Sequence, residues 1–225
     1  MARSQLHAVS LVDAVAEALR IAVIERTIEP GAVITEQSVA DRFSVARTTA
    51  KAAVERLVAD GFLQRAMHRS ARAPIMGRDD IRDLYSSRIL LEVEAMCRLA
   101  ERRYVPPEAE RYTTELMAHA NRGDHDQMAG RDVAFHTSLV GAAGSPRLTR
   151  MHATIMGEAH ICMVQVQDRH LLHARVINRE HEEIMAAIRS GDVDATEEAV
   201  RSHLVRARDQ LLERHSEAGQ SSNGD

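Results

Sequence analysis

Residues 35–61 read TEQSVADRFSVARTTAKAAVERLVADG, and this stretch decides the fold of the N-terminal part of the chain. Thr35, three residues before Ser38, is suited to cap the start of a short helix. The SVAR segment predicts a tight turn. Residues 48–60 predict a second helix, which Gly61 ends from the position just beyond it. Two short helices joined by a tight turn are typical of a helix-turn-helix.

The flanking sequence extends this motif on both sides. Residues 9–25 space their apolar side chains three to four apart, which predicts a preceding helix, and Pro30-Gly31 then interrupts the chain. Residues 62–75, FLQRAMHRSARAPI, predict two short strands on either side of a basic turn. The order of these elements predicts a winged helix-turn-helix domain over residues 1–75.

The remaining sequence is helical throughout. After a linker at 76–78, a second domain over 79–215 is predicted, and its connections are short and rich in proline or glycine. Short connections favour antiparallel neighbours, so the fold class is mainly α, with a six-helix antiparallel bundle after the winged domain. The polar tail, 216–225, is expected to be disordered. The six predicted helices cover 79–103, 107–122, 124–141, 146–167, 170–190 and 192–215.

Charge is distributed unevenly along the chain. The net charge is −4, but residues 1–76 carry +2 and residues 42–72 carry +5. A local basic patch of this kind is what a phosphate backbone attracts. The sequence contains neither an apolar run long enough to span a bilayer nor a signal-peptide pattern, and its two cysteines suit a reducing compartment. We therefore expect a cytoplasmic protein without a membrane partner.

Five residues are candidates for contact with DNA. Arg47, Thr48 and Lys51 lie at the start of the second helix of the motif, which in this fold enters the major groove. His68 and Arg69 lie at the predicted wing tip, where they could reach a minor groove or a phosphate. The alternative is a basic face that only contacts solvent.

The second domain places one carboxylate and three imidazoles on apolar helix faces. Asp132 and His136 are four residues apart and share a face, while His181 and His203 fall on the apolar stripes of the fifth and sixth bundle helices. This set predicts a divalent transition-metal site in the bundle core, with zinc preferred and nickel, iron or manganese as alternatives. Each histidine could instead be a hydrogen-bonded core residue.

Arg88 occupies the apolar stripe of the first bundle helix. A buried guanidinium is costly unless an anion meets it. One interpretation is internal pairing with an acid such as Glu92 or with helix-end carbonyls. The other is that Arg88 clamps the carboxylate of an effector whose other oxygen binds the metal.

Residues 18–63 resemble the N-terminal domain of the GntR family of transcription regulators, and this resemblance implies operator binding. Pro30-Gly31, Arg47, Leu57 and Gly61 are among the matches. Departures from the family pattern fall mainly on the predicted DNA-reading surface, and they are Ala46, Thr49, Lys51, Ala52 and Ser70.

The segments LYSSRILLEVEAMCRLA, DVAFHTSLVGAAGSP and EHEEIMAAIRSGDVDATEEAVRSHL resemble the FCD-type sensor domain of the same family, nearer its six-helix VanR-like branch. The resemblance implies that the metal ligands are Asp132, His136, His181 and His203. It also places the family's arginine of the first sensor helix at Arg88.

These observations predict a homodimeric, ligand-responsive repressor that binds palindromic double-stranded DNA and a small carboxylate effector. Two alternatives stay open. One is a metal-dependent enzyme acting on a small organic acid, and the other is a regulator whose metal is purely structural.

Overall fold

The computed structural model describes residues 10–67, 69–166 and 171–221. The chain divides into two compact units, residues 1–75 and 76–225. Both are built mainly of helices, and the predicted mainly α fold class is confirmed.

The first unit packs three helices against a small sheet. Its elements are α1 (Leu11–Ile24), β1 (Val33–Ile34), α2 (Glu36–Phe43), α3 (Arg47–Ala59) and β2 (Ala71–Arg72). The Thr35 hydroxyl accepts a hydrogen bond from Ser38 N at 3.0 Å, as the predicted cap of α2 requires. The helices pack around buried Leu19, Val54 and Leu57. The N-terminus of α3 is exposed to solvent.

The sheet differs from the predicted two-stranded wing. Among the described residues, β2 pairs antiparallel with β1, with Ile34 opposite Ala71, and only Gln64 forms a bridge on its other side. The first predicted wing strand is therefore reduced to one bridge, and β1 was not predicted from the sequence. The physical reason is burial, because Ile34, Ala71 and Ala73 all point into the core and hold β2 against β1 rather than out in a long hairpin.

The second unit contains the six predicted helices. They are α4 (Arg78–Glu101), α5 (Pro107–Arg122), α6 (His125–Ala142), α7 (Pro146–Val166), α8 (Leu171–Ser190) and α9 (Val193–Ser221). The expected disordered tail is wrong for its first part, because α9 continues to Ser221. No proline interrupts residues 216–221, so the helix can propagate past its last apolar position. Residues 222–225 lie outside the described part.

Helix α4 is the centre of this unit and packs against α6, α7, α8 and α9. Its buried face carries apolar side chains such as Leu84 and Met96, but it also carries Arg88 and Glu92. Polar groups on a central helix face must find partners inside the bundle. Across the described residues, no helix combines the length and apolar character needed to cross a membrane.

Candidate metal and ligand site

Four polar side chains from three helices converge inside the second unit. Asp132 and His136 lie on α6, His181 on α8 and His203 on α9, and all four are buried. One potential ligand atom from each residue lies within 4.8 Å of those from the other three. His203 Nε2 is 3.2 Å from His136 Nε2, and His181 Nε2 is 3.3 Å from Asp132 Oδ1. The predicted four-residue set is therefore brought together in space.

Two glutamates hold the outer nitrogens of this cluster. His136 Nδ1 lies 2.6 Å from Glu92 Oε2, and His203 Nδ1 lies 2.7 Å from Glu180 Oε2. Arg206 donates to Glu180 and fixes its orientation. Carboxylates of this kind select the tautomer with a proton on Nδ1, which leaves the Nε2 lone pair facing the cluster.

The positions of two imidazole nitrogens in this cluster favour a cation between them. With the proton of each ring on Nδ1, next to its carboxylate, the Nε2 atoms of His136 and His203 are two acceptors facing each other at 3.2 Å. Two facing lone pairs repel unless a proton or a metal ion lies between them. Imidazole and carboxylate are ligands suited to zinc, nickel and iron, so the donor set fits a divalent transition metal.

His181 is held differently from the other two histidines. Its ring stacks on Phe135 with centroids 3.7 Å apart and an interplanar angle of 12°. Its Nδ1 is buried and has no hydrogen-bond partner among the described residues. Packing, rather than a second carboxylate, therefore orients His181.

Burial dominates the electrostatics of the cluster. It lowers the pKa of His136, His181 and His203, and for His181 the pKa falls to about 3. Burial alone would raise the pKa of Asp132, but its hydrogen bond with His181 and the charge of His136 hold that pKa below its usual range. Neutral imidazoles beside an ionised carboxylate are the protonation states that bind metal.

Arg88 forms the internal pair with Glu92 that was one of its two interpretations from the sequence. Its Nε donates to Glu92 Oε1 at 2.7 Å, and its guanidinium carbon lies 4.9 Å from the centre of the Tyr85 ring. Its Nη2 is buried without a hydrogen-bond partner in the described part of the chain. Arg88 also lines a cavity together with Asp132 and His203. The guanidinium is thus paired with Glu92 through Nε, while its buried Nη2 donor lacks an acceptor.

Two glutamates make contacts around the cluster that were not predicted from the sequence. Glu92 contacts Arg88, His136 and also His152, whose Nε2 lies 3.3 Å from Glu92 Oε1. Glu180 precedes His181 in the chain but contacts His203 on the next helix. The spacing from Arg88 predicted that Glu92 could pair with this arginine, but it gave no signal for the contacts of Glu92 with His136 and His152. Glu180 had none, because its partner lies across a helix interface.

The candidate DNA surface lies at the start of α3. Arg47, Thr48 and Lys51 are exposed there. A groove of about 390 Å³ is lined by Arg47, Arg65 and Arg69, so it brings a recognition-helix residue next to the wing. Arg65 was counted in the basic patch but was not proposed as a site residue. His68 lies outside the described residues.

Comparison with known families gives two matches along the chain. Residues 11–72 match the model described as bacterial regulatory proteins, gntR family. Residues 83–206, more than half of the chain, match the FCD domain.

Individual proteins agree with these matches. The Nta operon transcriptional regulator of Aminobacter aminovorans is 27% identical over 187 residues, covering 82% of this chain and 86% of that protein. The HTH-type transcriptional regulator BphR of Paraburkholderia xenovorans strain LB400 is 24% identical over 210 residues, covering 87% and 82%.

Two solved structures share the fold. McbR/YncC of E. coli has a TM-score of 0.75 at 18% identity, covering 92% of this chain and 99% of the other. A GntR transcriptional regulator from Rhodococcus sp. RHA1 has a TM-score of 0.73 at 22% identity, covering 89% and 97%.

Proposed function

Since this chain belongs to the gntR family of bacterial regulatory proteins and carries an FCD domain, it is a transcriptional regulator rather than an enzyme, and we propose that a divalent metal ion and a small carboxylate control its binding to DNA. One observation supports this proposal most strongly. Four buried potential ligand atoms converge beside a cavity, and the same cavity is lined by Arg88, whose Nη2 lacks an acceptor.

Asp132, His136, His181 and His203 would hold the metal, with zinc as the first candidate and nickel, iron or manganese as alternatives. When bound, the ion supplies a positive charge that attracts an anionic ligand oxygen. Glu92 and Glu180 keep two of the ligating rings in place through their Nδ1 atoms.

Arg88 would bind the carboxylate effector. Its guanidinium donates a hydrogen bond from Nε to Glu92, and its buried Nη2 has no acceptor. A carboxylate in the cavity satisfies that donor and compensates the cost of burying it. To act as a switch, the carboxylate must have different affinities for the DNA-bound and free conformations.

The first unit would bind operator DNA through Arg47, Thr48, Lys51 and the wing arginine Arg69. The arginine-lined groove beside α3 supports this assignment, because guanidinium groups there can meet phosphates as the helix enters the major groove. We further propose a cytoplasmic homodimer on a palindromic site, acting as a repressor that the effector releases.

The decisive experiment measures DNA and metal together. Metal-replete protein should shift a duplex from its own upstream region in a gel at low salt. A His181→Ala variant should lose tight zinc binding, and its DNA affinity should no longer respond to added metal or carboxylate. Absence of any shift by metal-replete protein would overturn the DNA-binding assignment, and unchanged zinc affinity in the variant would overturn the metal site.

A second candidate is a purely structural metal. The burial of all four ligands and their origin on three helices favour it, since such an ion ties α6, α8 and α9 together. Under this alternative, chelation lowers the melting temperature, while small carboxylates change neither the melting temperature nor the DNA affinity.

A further inference from the structure

A second groove of the first unit lies next to the groove at the start of α3. The first groove contains Glu36 and Arg47 from the two helices of the motif. The second measures about 560 Å³, and none of its described lining residues comes from α2 or α3. The two grooves meet at Arg65, Arg69 and Ser70, which line both of them. The other residues that line the second groove are Gly31, Gln64, Ala66, Arg72, Ala73 and Ile75.

The described lining of the second groove is positively charged and contains no carboxylate. Its charged residues are Arg65, Arg69 and Arg72, and all three are exposed. In the described part of the first unit, none of the ion pairs includes an arginine of this groove. Like charges gathered in one groove repel each other, and a bound anion removes that cost. The groove is therefore suited to an anionic partner.

Arginines on the helices of the same unit are in a different situation. Arg20 on α1 contacts Glu17, and Arg56 on α3 contacts Asp13. Their positive charges are thus offset within the protein. The charges of the second groove have no such compensation, so the difference in pairing identifies this groove as the more favourable place for an external anion.

The backbone orients Arg72 within the second groove. Its Nη1 donates to the carbonyl of Gly31 at 2.9 Å. Gly31 is held beside β2, because its N–H donates to the carbonyl of Ala73 at 2.9 Å. A guanidinium that is held through one nitrogen keeps N–H donors on the others, and these can bind oxygens of a phosphate. Arg72 is therefore positioned before any anion arrives.

We propose that the second groove binds the phosphate backbone of the DNA, with Arg65 and Arg72 as contact residues in addition to Arg47 and Arg69. This inference rests on the proposed DNA-binding function and extends its contact surface beyond the start of α3. Arg69 lines both grooves, so a DNA strand that contacts the first groove lies next to the second. Each strand of a duplex presents a phosphate about every 3.4 Å along its axis, which suits neighbouring guanidinium groups.

The salt dependence of DNA binding tests this on the full-length protein. Fluorescence anisotropy is measured on a duplex from its own upstream region and on a shuffled duplex of equal length and composition. Arg72→Gln should reduce the slope of log affinity against log salt by about 0.9 on both duplexes, as one lost phosphate contact requires. The affinity should fall about eightfold at 0.1 M salt, and the loss should disappear towards 1 M. Arg65→Gln should behave in the same way.

Two control variants separate phosphate contact from other effects. Arg72→Lys keeps the positive charge, so it should retain the wild-type slope. Arg20→Gln removes the same charge from α1, outside both grooves, and should leave the slope unchanged. Thermal melting shows which variants are folded. If Arg72→Gln fails to fold, Arg65→Gln in the exposed segment before β2 still decides.

The outcomes separate this inference from the DNA-binding function itself. If the wild-type protein binds DNA and both Arg65→Gln and Arg72→Gln keep its slope, the inference is wrong and contact through α3 stands. A loss confined to the upstream duplex would indicate base reading and would also overturn it. Equal losses in Arg72→Lys and Arg72→Gln would indicate a structural role and overturn the contact of Arg72. If the wild-type protein binds neither duplex at low salt, the proposed DNA-binding function fails as well.

Discussion

Replacing Glu92 by glutamine perturbs three contacts while keeping the shape of the side chain. The carboxylate of Glu92 receives the Nε hydrogen of Arg88 at 2.7 Å, lies 2.6 Å from His136 Nδ1 and lies 3.3 Å from His152 Nε2. Arg88 and Glu92 are 1% and 0% exposed, so solvent cannot replace the lost charge. The variant therefore leaves a buried guanidinium without its counter-ion.

The expected effect is large. Removing one partner of a buried ion pair costs about 3–5 kcal/mol. Since 1 kcal/mol corresponds to about 2–4 °C for a protein of this size, the melting temperature should fall by roughly 6–20 °C. Zinc affinity should also fall about 10–100-fold, because a neutral amide orients the His136 ring less strongly than the carboxylate does.

The same helix provides a matched control. Glu94 and Arg98 form an ion pair four residues apart, but their side chains are 55% and 47% exposed. Because exposed pairs contribute at most about 1 kcal/mol, Glu94→Gln should lower the melting temperature by less than about 4 °C and leave zinc affinity unchanged. The measurements are thermal unfolding of the metal-free protein and zinc competition against a chromophoric chelator. Equal effects of Glu92→Gln and Glu94→Gln would refute the reasoning.

Three further predictions concern pH, DNA and thiol chemistry. Burial lowers the pKa of His181 to about 3 from 6.5, so between these values the unfolded chain binds more protons and the metal-free protein should lose stability as the pH falls below about 6.5. Thermal melts at about pH 7.5 and about pH 5.5 check this, and an equal decrease in His181→Ala would argue against it. Arg47→Ala should weaken binding to all DNA sequences and reduce the slope of log affinity against log salt by about 1, measured by fluorescence anisotropy, whereas an unchanged slope would remove Arg47 from the phosphate contacts. Burial raises the pKa of Cys162 to about 12, so mass spectrometry should find this thiol unmodified after iodoacetamide treatment of the folded protein; rapid native alkylation would contradict its buried position.

Periodicity was enough to find the cluster but not its surroundings. Asp132 and His136 share a face because they are four residues apart, and His181 and His203 fall on apolar stripes, so their inward direction followed from helix geometry. The contact of Glu180 with His203 depends on how α8 and α9 pack, which no spacing within one helix encodes.

The sheet was harder to predict than the helices. β1 has two residues, Val33 and Ile34, too few for an alternating pattern to be recognised. Its partner β2 is also two residues long, and its pairing is set by contacts between residues about forty apart in the chain. The helices were found because each presents several turns of one apolar face.

Helix α9 carries His203 and, further along, several cavity residues that include Ala207 and Leu211. Mutations at positions 207 and 211 can therefore reshape the cavity wall while the four candidate metal ligands, Asp132, His136, His181 and His203, stay unchanged. A larger side chain in place of Ala207 would shorten the cavity, and a smaller one in place of Leu211 would deepen it. Related chains could therefore share the same buried cluster and yet accept different ligands, through changes on one helix.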